Sequence, residues 1–344
     1  MAKVSKSGAN HLEDGDLLFG RRSLVESGAG KCSLVVSPSE PTVFESSLIR
    51  VRVDRNKVNP RILFYYFLSY LGRGRVRSIV SGVNVKGIRG SDLKNLLVAR
   101  PPIPIQNRIV DILSAYDDLI ENNRRRIELL EQSARMLYKE WFISLRFPGH
   151  QHAPFIDGVP EGWEKKRLAD VATLIMGQSP ASKYYNTDGD GLPFHQGVTN
   201  FGNRFVSHKT YCKLEARIAE AGDILCSVRA PVGRLNITLD RIVIGRGLSA
   251  IRSNNGFQSF LYYQLKNHFF KEDMIGGGAI FAAVTKKDME NQLLLCPPDP
   301  LIRDFEQNST PIDEQLKYLH LQNQKLQQAR DLLLPRLMNG EIPV

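Results

Sequence analysis

A chain of 344 residues exceeds one ordinary domain and, at about 100–200 residues per domain, fits two. With 42% apolar and 24% charged residues it can bury real cores, which excludes disorder by composition. Lys and Arg outnumber Asp and Glu 46 to 36, a net +10 that points toward a polyanionic partner.

The opening stretch, MAKVSKSGANHLEDGD, has no apolar core of a secretory signal, and no window approaches 18 uninterrupted apolar residues. A cytoplasmic protein is expected. Cys32, Cys212, Cys226 and Cys296 are scattered without a CxxC pair, so reduced thiols are expected rather than a zinc ribbon or a disulfide framework. Along the first third, GDLLFGRRS (15–23), SLVV (33–36) and LIRVRV (48–53) read as glycine-punctuated strands. LFYYFL (63–68) reads as a short apolar helix. A Gly-bearing turn around Gly82, the segment SDLKNLLV (91–98), a strand ending in Pro101-Pro102, and a long helix follow.

The plan then recurs. PPIPIQNRIV (101–110) matches PPDPLIRDFE (297–306), and SDLKNLLV matches KDMENQLL (287–294), both at an offset of 196; Gly82 aligns with Gly278. Tyr65-Tyr66 pairs with Tyr262-Tyr263 at 197, and GDLLFGRRS with GDILCSVRA (222–230) at 207. In the second copy DILCSV and RIVIGRG supply the strands, and Tyr262-Tyr263 reads as core.

Each copy ends in a heptad helix. In 106–145, free of Pro and Gly and stopped by Pro148-Gly149, one seam is Leu113, Ile120, Ile127, Ala134, Trp141 and the other Ile109, Tyr116, Asn123, Leu130, Leu137. Forty residues make a rod of roughly 60 Å. In 302–339 the seams are Phe305, Ile312, Leu319, Leu326, Leu333 and Ser309, Leu316, Asn323, Arg330, Leu337. Pro311 and Pro335 are expected to confine the uninterrupted helix to about 312–334. The simplest pairing is one helix with the other, antiparallel, with Asn123 and Asn323 fixing register. The expected fold is therefore α+β: two β-rich repeats joined by two long helices that form an antiparallel coiled coil. Its parts are 1–105, 106–146, 147–301 and 302–344.

Charge separates along the same lines. Residues 1–105 carry +9 and 146–301 carry +3, while 106–145 and 302–344 each carry −1. The repeats, not the helices, are the nucleic-acid-facing candidates; a basic zipper would show the opposite. Catalytic and metal signatures are weak. GAGKC (28–32) lacks the spacing of a P-loop, His150 and His152 have no third ligand nearby, and Asp157, Glu164 and Lys166 are ordinary for a charged loop. RPPIP and CPPDP differ from the methyltransferase tetrapeptide at both ends, and no G-x-G-x-x-G occurs. No enzyme and no metal is expected.

Two basic repeats, each running through a GDIL-type strand to Pro-Pro-x-Pro and a long helix, resemble the specificity (S) subunit of type I restriction–modification enzymes. PEGWEKKRLADVATLIMGQSP (160–180) resembles the start of that family's target recognition domain through Trp163, Leu168, Gly177, Ser179 and Pro180. DGLPFHQGVTNFG (190–202), AGDIL (221–225), the glycines at 276–278 and LLPRLMNGEI (333–342) also resemble family elements. The resemblance covers essentially the whole chain. It implies a non-catalytic subunit that binds double-stranded DNA, each recognition domain reading one half of a split target, with the paired helices setting the gap. It also implies docking of DNA methyltransferase (M) subunits and, through the complex, ATP-driven restriction (R) subunits. S-adenosylmethionine, ATP and Mg2+ would then belong to the partners, and this chain would bind no cofactor.

Candidate DNA contacts are Gln178, Lys183, Tyr184, Tyr185, Gln196, Arg204, Arg229, Arg234 and Lys286 in the second copy, and Arg21, Arg22, Lys31, Lys86 and Arg89 in the first. Tyr184 and Tyr185 fit core packing equally well. The first copy departs from the family pattern. His11–Asp16 aligns with 218–223, and about 60 residues preceding that point in the second copy have no counterpart. A misassigned start, a decayed subunit and complementation by another chain all fit. The alternative reading of the whole is a stand-alone DNA-binding or architectural protein dimerising through its coiled coil.

Overall fold

In the computed structural model, residues 11–269 and 284–344 are described; Gly278 and the glycines at 276–278 lie outside them. In chain order come β1 (Leu17–Gly20), β2 (Arg22–Ser23), β3 (Cys32–Leu34), β4 (Leu48–Val51), α1 (Pro60–Leu68), α2 (Tyr70–Arg77), β5 (Lys86–Gly87), α3 (Gly90–Lys94) and α4 (Ile103–Phe142). Then follow β6 (Phe155–Ile156), β7 (Val159–Pro160), β8 (Glu164–Arg167), α5 (Leu168–Val171), β9 (Ala172–Met176), β10 (Tyr185–Asn186), β11 (Leu192–His195), β12 (Tyr211–Cys212) and β13 (Ile218–Ala219). The last are β14 (Ile224–Ser227), β15 (Leu235–Ile237), β16 (Ile242–Ile244), β17 (Leu248–Ser253), α6 (Gln258–Phe269), α7 (Lys286–Glu290), β18 (Leu293–Cys296) and α8 (Asp299–Met338). The chain divides into two compact units: residues 1–127 with 318–344, and residues 128–317. Both boundaries fall inside the long helices.

Unit 1 holds the sheet β3-β1-β4, and unit 2 the sheet β15-β14-β17-β9, all antiparallel. The internal repeat survives in side-chain detail. Arg52 Nε and Nη2 donate to Asp16 Oδ1 and Oδ2, each at 2.7 Å; Arg252 Nε and Nη2 donate to Asp223 at 2.7 and 2.8 Å. Each carboxylate also accepts the backbone N–H of the residue three before it, Glu13 or Glu220. Asp16 and Asp223 are both 1% exposed, so the bidentate pair satisfies a charge that burial would otherwise penalise.

The copies differ at their edges. In unit 2, β17 is flanked by β14 and β9, and β18 pairs with β8. In unit 1, among the described residues, nothing pairs with the outer edge of β4, and 96–102 form no strand. The strand expected before Pro101-Pro102 is therefore absent there: its counterpart, β18, is a strand because β8 pairs with it, and Leu97 stays 80% exposed.

The cores follow the apolar pattern. In unit 1, Leu17 and Phe19 of β1 meet Ile62, Tyr65 and Tyr66 of α1, Leu113 of α4 and Leu334 and Leu337 of α8. In unit 2, Ile224 and Cys226 of β14 and Ile251 of β17 meet Phe260, Tyr262 and Tyr263 of α6, Tyr138 and Phe142 of α4, and Phe305 of α8. All four cysteines are free and buried.

α4 starts after Pro101-Pro102, where the fully buried Gln106 ties the first turn to α1. Its Nε2 donates to the Pro101 carbonyl at 2.7 Å, and its Oε1 accepts the Asn59 N–H at 2.8 Å. The helix stops where Leu145 takes a φ of 58° and the Arg146 N–H returns to the Glu140 carbonyl. α8 runs unbroken over 40 residues, through Pro311 and Pro335, contrary to the expected break. Proline removes one internal hydrogen bond, a cost of about 3 kcal/mol. For two prolines that is about 6 kcal/mol, and burial of Ile302, Phe305, Leu316, Leu319, Leu334 and Leu337, each worth about 1.5–3 kcal/mol, outweighs it.

Every seam position is buried or half-buried: Ile109, Leu113, Tyr116, Ile120, Asn123, Ile127, Leu130 and Leu137 on α4, and Ile312, Leu316, Leu319, Asn323, Leu326 and Leu333 on α8. In unit 1, Asn123 Nδ2 donates to Asn323 Oδ1 and to Gln322 Oε1, both at 2.9 Å, and Arg330 Nη1 donates to Asp117 Oδ1 at 2.6 Å. As numbering rises on one helix it falls on the other, so the helices run antiparallel within this unit. No described helix is long and apolar enough to cross a membrane.

Candidate nucleic-acid interface

One end of the unit 2 sheets gathers the long polar side chains. β11 lies parallel to β16 with His195 opposite Ile244, and the Gly245-Arg246-Gly247 turn carries β16 into β17. β9 ends and β14 ends opposite the start of β17, Met176 facing Ser249 and Ser227 facing Leu248. Four chain segments therefore emerge together: Gly177-Gln178-Ser179, Gln196-Gly197, Val228-Arg229 and Gly245-Arg246-Gly247.

Glycine makes this convergence possible. A Cβ on Gly177 would collide with the Gly245 carbonyl, and one on Gly247 with the Gln196 carbonyl. Backbone hydrogen bonds then lock the segments: Gln178 N–H to Ile244 C=O at 3.0 Å, Gly245 N–H to His195 C=O at 2.8 Å, Gly247 N–H to Gln196 C=O at 3.1 Å and Val228 N–H to Gly247 C=O at 2.9 Å. Gln178, Gln196, Arg229 and Arg246 are exposed on this frame. Arg234 sits in the same β14–β15 turn as Arg229, its N–H held by Ser227 Oγ at 2.9 Å. The Val284 N–H bonds the Val228 carbonyl at 2.9 Å, which brings the first turn of α7, with exposed Lys286, beside Arg229.

Lys183 and the two tyrosines lie on the flank. Lys183 Nζ is 5.1 Å from the Tyr184 ring centroid, and Tyr184 is half-buried. Tyr185 stacks on Phe194 with centroids 4.5 Å apart and donates its hydroxyl to the Pro180 carbonyl at 2.7 Å, so its ring is packing that braces the loop.

Arg204 is a correction. It is 3% exposed and cannot reach a phosphate or a base. Its guanidinium donates to Glu131 Oε1 of α4 at 2.8 Å, to Asp313 Oδ1 of α8 at 2.6 Å and to the Tyr263 hydroxyl at 2.9 Å, and lies 4.4 Å from the Tyr262 ring centroid. Lys266 Nζ reaches Glu131 at 3.3 Å. Burial works to raise the Glu131 pKa, but Arg204 and Lys266 together hold it below the usual carboxylate value. Arg204 is thus a structural clamp between the strand-rich part of unit 2 and both long helices.

Behind Gln196, the buried His195 Nε2 lies 2.9 Å from His208 Nδ1, and His208 Nε2 lies 2.9 Å from Asp240. Burial, with the neighbouring His208, pushes the His195 pKa down to about 4, so the ring is neutral near pH 7. The described residues contain no group of three or more His, Cys, Asp or Glu able to hold a metal.

In unit 1 the two-stranded ladder of β2 and β5 sets Arg22 opposite Gly87 and Ser23 opposite Lys86. The Ile88 N–H bonds the Arg21 carbonyl at 3.0 Å, which places Arg89 at the ladder's end, and the Lys31 carbonyl accepts the Gly20 N–H at 2.9 Å just before Arg21. All five sequence candidates therefore share one neighbourhood; Arg21, Arg22, Lys31 and Arg89 are exposed and Lys86 is half-buried. Sequence reasoning missed Arg75 and Arg77, exposed on α2 beside Tyr70, which is 85% exposed. The run GRGRVR (72–77) was their signal. Arg246 was missed because a single arginine between glycines looks like any loop residue.

A glycine-framed sheet end that holds arginine and glutamine in solvent presents groups suited to phosphate and base-edge contacts. The sequence matches the type I restriction modification DNA specificity domain over residues 3–132 and again over 160–301. It is 32% identical over 339 residues to the putative type I restriction enzyme MjaX specificity subunit of Methanocaldococcus jannaschii, covering 96% of this chain and 79% of that one. It is 25% identical to the MjaIX specificity subunit of the same organism, covering 94% and 83%. The crystal structure of the type I restriction–modification S subunit from M. genitalium shares the fold, with a TM-score of 0.60 at 16% identity, covering 95% of this chain and 84% of that one. The chain belongs to the family of type I restriction–modification specificity subunits, which recognise DNA by sequence.

Proposed function

We propose that the glycine-framed end of unit 2 and the β2–β5 ladder of unit 1 are the two DNA-reading faces, each addressing one part of a bipartite target separated by an unread gap. Lys and Arg position each face on phosphates, and the loop side chains read base edges. The observation that carries this is the convergence of Gln178, Gln196, Arg229 and Arg246 on a backbone frame that only glycine permits. The recognition domains are 1–105 and 147–301, and the helical parts 106–146 and 302–344. The long helices act as an antiparallel coiled coil that spaces the readers and docks M subunits, which bring R subunits into the complex. S-adenosylmethionine, ATP and Mg2+ belong to those partners, the chain performs no chemistry itself, and it works in the cytoplasm.

Co-expression with a methyltransferase subunit tests the reading. A stable complex that methylates a gapped sequence is expected. A homodimer that ignores the methyltransferase and binds DNA without sequence preference would favour an architectural role, and methylation by this chain alone would contradict a non-catalytic one.

A further inference from the structure

The loop frame of unit 2 does more than display Gln196: it engages the oxygen end of its amide. Arg246 N–H donates to Ser179 Oγ at 3.1 Å, leaving the hydroxyl hydrogen free to be donated. Gln196 Oε1 lies 2.8 Å from that hydroxyl and is its acceptor. Gly245 closes the other side, since a Cβ there would fall 2.6 Å from Oε1 and 3.0 Å from both Cδ and Cα of Gln196. The amide oxygen thus lies against the Gly245 backbone, in a slot that any larger residue would fill. The backbone of Gln196 is held as well, by its carbonyl bond to Gly247 and by the His195 carbonyl bond to Gly245. Gln196 itself is exposed, and no described residue accepts from its Nε2.

We propose that Gln196 reads DNA as a hydrogen-bond donor only and selects guanine over adenine. The proposal rests on the reading of this end of unit 2 as a DNA-facing surface. A glutamine that reads adenine in the major groove uses both ends of its amide, the oxygen accepting from N6 and the nitrogen donating to N7. Here the oxygen is engaged by Ser179 and seated on Gly245, so only N–H groups face the groove. Guanine offers two acceptors on that edge, N7 and O6, and matches them. Adenine would bring its own N6 amino donor against the amide N–H, and thymine offers one acceptor beside a methyl group. Ser179 is then a positioning residue, acting through Gln196 without touching the base.

The test selects bound sequences from a randomised duplex library with the full chain in complex with its methyltransferase partner, comparing wild type with Gln196→Ala, Ser179→Ala and Ser179→Thr. Gln196→Ala is expected to relax one position, occupied by guanine in the wild-type target, by about tenfold. Ser179→Ala frees the oxygen and is expected to raise acceptance of adenine at that same position, while Ser179→Thr, which keeps the hydroxyl, retains guanine. Thermal midpoints confirm that the variants fold. The proposal is overturned if Gln196→Ala relaxes no position or one held by adenine, or if Ser179→Ala leaves the preference unchanged. If a combined Gln196→Ala, Arg229→Ala, Arg246→Ala variant keeps both target and affinity, the DNA-facing reading of this surface fails instead.

Discussion

Arg204 and Asp313 meet at 2.6 Å, an arginine from the strand-rich part of unit 2 against a carboxylate of the C-terminal long helix. The same guanidinium holds Glu131 on α4 at 2.8 Å. Unit 1 has a related arrangement around Asp117, 196 positions before Asp313. Its Oδ2 accepts the Tyr65 hydroxyl at 2.6 Å and its Oδ1 the Arg330 guanidinium at 2.6 Å. In both units a helix carboxylate joins a core tyrosine to an arginine. In unit 2 the arginine comes from the connection between β11 and β12, so that loop is tied to both long helices through one side chain.

Removing Arg204 leaves Glu131 and Asp313 facing each other without their shared cation. Arg204→Ala should destabilise unit 2 by about 3–5 kcal/mol, the usual cost of breaking a buried charge network from one side. A lowered urea midpoint with an unchanged slope would check this. Arg229→Ala, exposed on the same unit, should leave the midpoint within about 0.5 kcal/mol.

Asn123 and Asn323 occupy seam positions where leucine would pack better. Replacing both by leucine should raise the thermal midpoint, because the polar pair trades stability for register. Replacing Asn123 alone strands the Asn323 amide oxygen and should lower it by about 1–3 kcal/mol. Calorimetry on the single and double variants separates the two effects.

His195 should make unit 2 acid-sensitive. Its folded pKa, about 4, lies below its unfolded value of about 6.5, so the unfolded chain binds more protons between those values. Stability is therefore full above about pH 6.5 and falls as pH drops toward 4, by up to roughly 3 kcal/mol from this residue. The pH dependence of the urea midpoint should flatten over that window in His195→Asn relative to wild type.

The two copies should also differ in protection. β17 is paired on both sides, by β14 and β9, whereas among the described residues β4 is paired on one side only, by β1. Amide exchange is expected to be markedly faster over Leu48–Val51 than over Leu248–Ser253. Equal protection would mean that another strand covers the β4 edge.

Much of the fold was legible because the repeat and the heptads are long-range regularities. The Pro-Pro pairs precede both long helices and both tyrosine pairs are buried in the cores, in line with the repeat. α8 was misjudged at Pro311 because local propensity was weighed without the burial of Phe305 and Leu316. The strand before Pro101 was misjudged because a strand needs a neighbour, and β8 has no described counterpart in unit 1. For the interface, arginine and glutamine in loops were visible as chemistry. Nothing in the sequence separated Arg204, drawn inward by two carboxylates more than 70 positions away, from Arg229, left in solvent.

The most direct test of the account is to map the methylated target of the complex this chain forms, before and after replacing Gln178, Gln196, Arg229 and Arg246 with alanine. The account predicts a gapped sequence in which these changes relax one half and leave the other half intact. An ungapped target, or relaxation spread equally over both halves, would contradict it.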